Sequence, residues 1–516
     1  MKRFKPLLLP ALAIIAGACN TFAFAPWHLW IVQILCLAVL ASLTIRADRA
    51  KTAFILGWAY GFGSLVSGIH WLFVSMHRFG GMSAPMAAAA VILFSLFAGA
   101  LAGFATGLTR RLMTGWNTSF TVTALFIFPS CWAIFEWVRG WIFTGLPWVV
   151  TGYAHTGSPL AGYAPVAGVY GVGFIAAIIA GAIALFFTIG RDHWARQLAA
   201  SIAPIVILLA GGQTLRHIQW TEPVGQPIQV RLLQGNIPQE FKFTPIQIQA
   251  ALSLYADAIT SRGADLIVTP ETAVPVYIQQ LPEGYLEHLS RFAATSFSHI
   301  ALGIPLADSP RQYTNSVIVM SPDDHGKNRP FGYRYDKHHL VPFGEFIPTG
   351  FRWFVNMMRI PLGDFTRGDP LQKPFAVKDQ WIMPNICYED IFGEEIVDQI
   401  RNEQETGNDQ PTILLNVSNI AWFGNTIALP QHLQISQMRA LETRRPMLRA
   451  TNTGTTAVIT PQGDIQARLA PYTRAGLDAT VQGYRGSTPY IRYGNLLFLA
   501  IAFLFLAIGK FTSRRR

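Results

Sequence analysis

The sequence has few charged residues and contains no internal repeat or low-complexity linker. Charged residues make up 13% of its 516 residues, aromatic residues make up 12%, and the mean hydropathy is +0.31. This balance is typical of a membrane protein, and the length allows two or three domains.

Acidic residues are scarce outside one part of the chain, and this distribution argues against nucleic-acid binding. The formal net charge is +11. Residues 217–493 hold 23 Lys and Arg against 26 Asp and Glu, a net charge of −3, whereas the remainder holds 17 against 3, a net charge of +14. The basic excess therefore belongs to the apolar part of the chain, and we expect no nucleic-acid partner.

The sequence also lacks the residue patterns that bind metal ions and nucleotides. The adjacent His338 and His339 do not have the spacing that places two imidazoles on one ion, and there is no cysteine cluster. No glycine-rich phosphate-binding loop follows a predicted strand. We therefore expect no metal and no other cofactor.

Long apolar segments fill the first 216 residues and recur near the end of the chain. Each approaches or exceeds the roughly 17 to 25 residues that a membrane-spanning helix needs. They cover residues 7–24, 27–45, 53–76, 83–108, 118–138, 163–189, 197–215 and 494–510. The first resembles a cleavable export signal, but seven more follow it, so we interpret it as an uncleaved helix. The sequence thus predicts eight transmembrane helices.

The distribution of basic residues predicts the orientation of these helices. If the N-terminus is cytoplasmic, fourteen Lys and Arg residues fall in cytoplasmic segments, and only Arg78, Arg139 and Arg216 lie on the other side outside the large domain. This bias places both termini in the cytoplasm and the large domain outside it. We expect a membrane domain at 1–216, an extracytoplasmic domain at 217–490, and an eighth helix with a basic tail at 491–516.

Three features near the membrane allow a structural or a functional interpretation. Glu136 and Arg139 lie three residues apart on one helical face. They are either an ion pair at the headgroup level of the membrane or a floor for a lipid headgroup or for the outer domain. His70 fits an interfacial histidine better than a ligand. The apolar stretch 351–362 either packs on the sheet or, as we favour, forms a lid that dips into the headgroup region.

From residue 228 onward, short β-rich runs alternate with amphipathic helical patterns, which predicts a layered α/β domain with buried sheets. The predicted strands cover 228–233, 266–269, 300–304, 316–320, 381–386, 413–417 and 457–460, and the helices cover about 245–262, 283–296, 392–402 and 430–445.

Three strand ends in this domain carry chemically useful side chains. Cys387 follows a buried strand and is far from the other three cysteines, which lie in the apolar segments, so it is either core filling or a reactive thiol. Glu271 ends another apolar strand, where it could cap a helix or, with a pKa raised by burial, act as a base. Lys337 and Glu345 flank a turn, where solvated charges are the default. A base, a cation and a thiol together can activate a nucleophile and stabilise an oxyanion.

These motifs, in this order, resemble the Glu-Lys-Cys triad of the nitrilase (carbon-nitrogen hydrolase) superfamily. The motifs are Pro270-Glu271, Lys337 with Pro342-Phe343-Gly344-Glu345, and Cys387-Tyr388-Glu389. Together with the preceding helices, Glu136-Trp137-Val138-Arg139, Gly145-Leu146-Pro147-Trp148, Gln234-Gly235-Asn236-Ile237-Pro238-Gln239 and Ser418-Asn419-Ile420-Ala421-Trp422-Phe423-Gly424, they make the chain resemble the bacterial apolipoprotein N-acyltransferase family over nearly its whole length.

The resemblance implies a fold, an activity and roles for individual residues. The expected fold is a bundle of eight transmembrane helices carrying an αββα nitrilase-like sandwich. Carried over by position, Glu271 would be the general base, Lys337 the oxyanion stabiliser and Cys387 the nucleophile. Supporting or substrate-binding roles would fall to Glu345, Tyr388, Glu389, Phe243 and Trp422. The chain departs from the family pattern at Phe243, where the family usually has Trp, and at Ile420, where it usually has Asp.

The resemblance also implies the substrates and the location. An acyl chain would pass from a phospholipid, for which we expect phosphatidylethanolamine, through a thioester on Cys387 to the N-terminal amine of a diacylated apolipoprotein. The protein would lie in the bacterial cytoplasmic (inner) membrane with its catalytic domain on the periplasmic side. The rival predictions are a membrane-anchored amidase, in which water resolves the thioester, and a transporter or lipid-binding protein with an inactive outer domain.

Overall fold

The computed structural model describes residues 5–186, 194–240, 242–309, 312–327, 331–353 and 365–512. The chain divides into two compact units. The first comprises residues 1–73, 84–218 and 492–516, and the second comprises residues 74–83 and 219–491. Most of the stretch predicted to form a lid, 351–362, lies outside the described residues, so the lid stays a prediction.

The described residues of the first unit form helices joined by loops, with no β-strand among them. Its eight main helices are α1 (Lys5–Cys19), α2 (Trp30–Arg46), α3 (Ala50–Gly68), α4 (Ala84–Gly115), α5 (Phe128–Trp141), α6 (Ala164–Phe186), α7 (Trp194–Arg216) and α12 (Leu496–Phe511), the last numbered after the helices of the second unit. They coincide with the eight apolar segments of the sequence. Small residues allow α3 and α4 to approach closely, because a side chain at Gly57 or Gly61 would collide with Thr106, Ala102 or Gly99.

The helix lengths support fewer membrane spans than the sequence predicts. In the described part of the chain, four helical segments are long and apolar enough to cross a membrane: Ala84–Gly115, Phe120–Thr144, Pro159–Phe186 and Leu198–Arg216. A fifth is possible if Ala50–Gly68 and Leu72–Phe79, bent by 60° at a short break, form one span. Three further apolar helices are shorter: Leu8–Ala23, Trp30–Arg46 and Leu496–Phe511. The prediction of eight spans is therefore not confirmed.

The polar pair in α5 is buried. The Glu136 carboxylate accepts hydrogen bonds from the backbone N–H and the hydroxyl of Thr151, both at 2.9 Å, and its Oε1 lies 3.9 Å from Arg139. The Arg139 guanidinium donates to the carbonyls of Leu146 and Trp148 at 3.1 and 2.8 Å. The pair thus fixes the loop that follows α5, as expected for a costly buried charge that has found partners.

The described residues of the second unit form two six-stranded sheets and four helices of twelve residues or more. Its strands are β1 (Thr221–Gln234), β2 (Leu266–Val268), β3 (His299–Ser309), β4 (Gln312–Met320), β5 (Tyr333–Asp336), β6 (Phe375–Val377), β7 (Gln380–Ile386), β8 (Ile413–Ser418), β9 (Met447–Thr451), β10 (Ala457–Ile459), β11 (Ile465–Arg468) and β12 (Ala475–Gly486). The strand orders are β12-β1-β2-β3-β4-β5 and β11-β10-β9-β8-β7-β6. Its helices are α8 (Pro245–Thr260), α9 (Tyr285–Ser296), α10 (Gly393–Glu405) and α11 (Ala428–Thr443).

Three buried clusters show how these elements are layered. One contains side chains from both sheets, including Val230 and Ile386, and lies between them. A second joins the first sheet to α8 and α9, and a third joins the second sheet to α10 and α11. The unit is therefore an αββα sandwich, as the resemblance to the nitrilase superfamily implies. Apolar side chains on both faces of the central strands explain why these strands are uniformly buried.

The structure confirms all seven predicted strands and all four predicted helices of this unit, but β1 begins seven residues earlier, β3 ends five residues later and β4 begins four residues earlier than the sequence predicts. It adds five strands that the sequence reading missed, namely β5, β6, β9, β11 and β12. β5, β6 and β11 have four residues or fewer, β12 has many exposed or half-buried positions, and β9 carries a buried arginine, so none shows a plain apolar run. Their identity depends on pairing with neighbours distant in sequence.

Candidate active site

Three strand ends bring the predicted triad together. Glu271 follows β2 by three residues, Lys337 follows β5 directly, and Cys387 follows β7 directly. Glu271 and Lys337 are only 7% and 1% exposed. The Cys387 thiol interacts electrostatically with both, and also with Glu345. The candidate site therefore combines strand ends from both sheets. Glu271 and Cys387 follow buried strands, whereas Lys337 follows the partly buried β5.

Four side chains form one buried hydrogen-bonded cluster beside the thiol. The Lys337 ammonium donates to Glu345 Oε1 at 2.8 Å and to Glu271 Oε1 at 3.3 Å. The Asn315 amide donates to the same two oxygens, at 2.7 Å to Glu271 and 3.0 Å to Glu345. The second oxygen of Glu345 accepts from the Val341 N–H at 2.8 Å. The lysine is thus fixed between two carboxylates. Lys337 and Glu345 are both buried, so the alternative interpretation of them as solvated loop charges does not hold.

The cluster shifts the pKa of Glu271 in the direction opposite to the sequence prediction. Burial by itself would raise the pKa of Glu271, but Lys337 and hydrogen bonds from Asn315 and the Asn419 N–H lower it below its ordinary value. Burial likewise favours neutral Lys337, yet Glu345 and Glu271 raise its pKa above the ordinary value. The expected rise in the pKa of Glu271 is wrong, because charge pairing outweighs desolvation.

The thiol is held in an unusual backbone conformation and in its neutral form. Cys387 has φ +55°, a left-handed conformation that costs a non-glycine residue about 1 to 2 kcal/mol. Burial, reinforced by Glu271, raises its pKa to about 12, while Lys337 acts in the opposite direction. The resting pair is therefore a thiol facing an ionised carboxylate, and the proton must leave as the sulfur attacks.

Glu389 connects the backbone of the nucleophile to that of the lysine. Its Oε2 accepts from the Ile386 N–H at 2.6 Å and the Tyr335 hydroxyl at 2.9 Å. Its Oε1 accepts from the His338 and His339 N–H groups at 2.6 and 3.1 Å. This buried carboxylate fixes the residues immediately before Cys387 and after Lys337. The supporting role that the resemblance implies for Glu389 stays a prediction, and these contacts would let it act through the backbone.

The other predicted supporting residues lie around the cluster rather than in it. The Tyr388 ring packs against Phe392 at a centroid distance of 5.3 Å. The Trp422 ring meets Phe79 edge-on at 5.7 Å, and Phe243 is 37% exposed. The substrate contacts expected of Phe243 and Trp422 stay predictions.

Sequence reasoning missed two polar groups of the site. Asn315 lies within β4, where nothing in an apolar run marks a residue that joins two distant carboxylates. Lys242 is 2% exposed and interacts with Glu271 and Cys387; burial lowers its pKa to about 8, although both neighbours raise it. A lysine one residue before Phe243, close to the Gln-Gly-Asn-Ile-Pro-Gln motif, was the available signal.

The arrangement can accept a proton, supply a nucleophile and stabilise an anion at one place. Glu271 is an ionised acceptor, Cys387 a neutral thiol, and Lys337 a permanent cation between two carboxylates. These are the parts of covalent acyl transfer. Among the described residues, no group of three or more His, Cys, Asp or Glu side chains is placed to hold a metal ion.

Comparison with known proteins identifies both parts of the chain. Residues 16–182 match the family model of the apolipoprotein N-acyltransferase N-terminal domain, and residues 229–490 match that of carbon-nitrogen hydrolases. The apolipoprotein N-acyltransferase of Ralstonia nicotianae is 49% identical over 98% of this chain and 93% of its own length. Those of Bordetella bronchiseptica and Nitrosomonas europaea are 41% and 39% identical, over 98% and 99% of this chain and 97% and 98% of their own lengths.

Proposed function

The chain belongs to the apolipoprotein N-acyltransferase family, and we propose that it moves an acyl chain from a membrane phospholipid to the N-terminal amine of a diacylglyceryl-cysteine apolipoprotein. The observation that supports this most directly is the buried Glu271–Lys337–Glu345 cluster beside the Cys387 thiol. The acyl chain would rest on Cys387 as a thioester between two half-reactions.

In the first half-reaction, the Cys387 sulfur attacks the ester carbonyl of the phospholipid while Glu271 takes the thiol proton. Lys337 stabilises the resulting oxyanion, together with the backbone N–H that follows the nucleophile. Collapse breaks the bond to the glycerol oxygen, which receives the proton from Glu271. The products are an acyl thioester on Cys387 and a lysophospholipid.

In the second half-reaction, the neutral α-amine of the lipoprotein attacks the thioester carbonyl. Glu271 takes a proton from the nitrogen, and Lys337 again faces the oxyanion. Collapse breaks the carbon–sulfur bond, and the proton returns from Glu271 to Cys387. An amide leaves and the thiol is restored. Two substrates that use one site in turn predict ping-pong kinetics.

The membrane arrangement that serves this chemistry is also part of the proposal. Both substrates are lipids, so the site has to be reached from a bilayer. The positive-inside bias supports eight spans, both termini in the cytoplasm, and the catalytic domain on the periplasmic side of the inner membrane. We assign the membrane domain to 1–216, the catalytic domain to 217–490 and the last helix to 491–516. Phosphatidylethanolamine is the proposed acyl donor.

The direct test is to trap the intermediate. The purified protein is incubated with phosphatidylethanolamine carrying a labelled acyl chain, and the label should appear on Cys387 in a form that neutral hydroxylamine releases. The matched control is Cys19→Ser, which removes a thiol of the helical unit and should label normally. Cys387→Ser should not give a hydroxylamine-labile adduct, and equal labelling of that variant would refute the assignment.

The second half of the test separates acyl transfer from hydrolysis. A diacylglyceryl-cysteine peptide is added to the labelled protein, and the label should move to the peptide amine. The same peptide with an acetylated amine is the control and should not discharge the thioester. Release of free fatty acid alone, with or without the peptide, would favour the membrane-anchored amidase over the transferase.

A further inference from the structure

A row of buried polar side chains crosses the second sheet directly behind the nucleophile. Asn385 of β7, Asn416 of β8 and Arg449 of β9 are neighbours in register on three adjacent parallel strands. Their exposed fractions are 2%, 0% and 0%. Such a row is costly in a sheet core unless every member is paired, and apolar residues would fill the space at least as stably. The catalytic cluster described above does not include it.

This row ends at the backbone carbonyl of Cys387. The Asn416 amide donates to Asn385 Oδ1 at 2.6 Å and to the Cys387 carbonyl at 3.3 Å. His432, from α11, contacts the same carbonyl through Nε2 at 3.2 Å. The carbonyl of the nucleophile therefore has two side-chain donors, one from the neighbouring strand and one from the helix that covers the sheet.

Arg449 determines which nitrogen of His432 carries the proton. Its guanidinium lies 2.7 Å from His432 Nδ1 and also donates to Asn416 Oδ1 at 3.2 Å. A guanidinium can only donate, so Nδ1 must accept, and the proton of the neutral ring is on Nε2, facing the Cys387 carbonyl. Asp390 lies 3.5 Å from Arg449 and balances its charge. One arginine thus orients both donors to the carbonyl.

The direction of this carbonyl determines the direction of the next N–H. The peptide bond between Cys387 and Tyr388 is trans and planar, so its C=O and N–H point in opposite directions. Two donors on the carbonyl hold the peptide plane in place despite the left-handed conformation of Cys387. They also polarise the amide, which makes its N–H a stronger donor. That N–H is the backbone group expected to bind the oxyanion.

We infer that His432 and Asn416, oriented by Arg449, are positioning residues that aim the Cys387–Tyr388 peptide N–H at the oxyanion. The inference rests on the proposed function, because it concerns how the acyl transfer is catalysed at the same thiol. It assigns these residues no contact with substrate. A purely structural role would instead tie α11 to the sheet and leave the chemistry at sulfur unchanged once the protein is folded.

The test compares two reactions of the same thiol. Acylation by a p-nitrophenyl ester passes through an oxyanion, whereas alkylation by iodoacetamide displaces iodide at carbon and needs no oxyanion stabilisation. His432→Leu removes one donor to the Cys387 carbonyl. If the peptide N–H is then no longer aimed at the oxyanion, acylation should slow about 100-fold, the effect typical of losing one oxyanion donor, with alkylation within about threefold of the wild-type rate. His432→Gln places a donor near the Nε2 position and should restore most of the acylation rate.

Two further variants keep the test decisive. If His432→Leu does not fold, His432→Asn replaces it, since its shorter amide cannot reach the carbonyl and should show the same selective loss. Gln437→Ala, on the same helix but bonded to the Gly463 carbonyl, is the matched control and should change neither rate. Equal loss of acylation and alkylation, or no loss of acylation, in a folded His432 variant would overturn the inference.

The generic ester also separates this inference from the proposed function. A wild-type protein that reacts with the p-nitrophenyl ester but never with phospholipid would contradict the proposed substrate, while the His432 comparison would still be measured. A wild-type protein that forms the phospholipid thioester, with a His432→Leu variant that acylates normally, would overturn only the positioning role.

Discussion

Replacing Lys337 by methionine should both abolish acylation and destabilise the fold, because this residue carries the buried charge between two carboxylates. Its ammonium lies 2.8 Å from Glu345 and 3.3 Å from Glu271, and it is 1% exposed. A unit-charge pair at 4 Å is worth about 4 kcal/mol at an effective dielectric constant near 20, and burial opposes this gain. Removing one partner of such a pair typically costs about 3 to 5 kcal/mol.

This cost translates into a measurable shift of the melting temperature. For units of this size, each kcal/mol corresponds to roughly 2 to 4 °C, so Lys337→Met should melt roughly 6 to 20 °C lower in detergent solution. The second variant, Lys337→Met with Glu345→Gln, removes one of the two uncompensated carboxylates. It should recover at least about half of the lost stability, yet it should still form no thioester, because Lys337, the group proposed to stabilise the oxyanion, is absent.

The two variants together make the reasoning refutable. Glu345→Gln alone is the matched control for the effect of the second substitution. If Lys337→Met melted at the wild-type temperature, the buried charge balance described for this site would be wrong. If the double variant were no more stable than Lys337→Met, the loss would come from packing rather than from unpaired charge. Rapid thioester formation in either variant would refute the proposed role of Lys337 in stabilising the oxyanion.

Three further predictions follow from individual contacts. Glu389→Gln replaces an acceptor by a donor against N–H groups, so it should lower the melting temperature and slow acylation at least tenfold, whereas Tyr335→Phe, which removes one hydrogen bond to Glu389, should cost only about 1 kcal/mol. The pKa of Cys387 is about 12, so the pH profile of its alkylation rate should show no inflection near pH 8.5. Lys242→Met removes the other nearby group that titrates in this range, with a pKa of about 8, and an inflection near pH 8.5 that persists in this variant would contradict the prediction. The native pKa of Glu271 lies below its unfolded value, so its ionisation stabilises the fold above the unfolded pKa, and this contribution is lost as the pH falls through the native pKa. Glu271→Gln should therefore lower the melting temperature, relative to wild type, more at pH 7 than at pH 3. An equal difference between variant and wild type at the two pH values would refute the charge assignment.

The sequence by itself determined the apolar segments, most strands of the sandwich and the three triad residues. Local composition was sufficient for the segments and strands, because apolar runs mark buried elements. Glu271 and Cys387 were visible as candidates because they stand where apolar runs stop, but the roles of the triad residues came only from the resemblance of the ordered motifs to the nitrilase superfamily. The number of helices that span a membrane could not be predicted in the same way, since three of the apolar helices have fewer than 18 residues and are shorter than the apolar segments that predicted them.

Only the tertiary structure decided how the site works. The lowered pKa of Glu271 depends on Asn315 and Lys337, which are distant in sequence, so burial alone predicted the wrong direction. The alignment of Asn416 with Arg449 depends on strand register, which neither segment carries in its own residues. Long-range pairing therefore places both the charges around the thiol and the donors behind it, because it chooses the neighbours that a local pattern cannot specify.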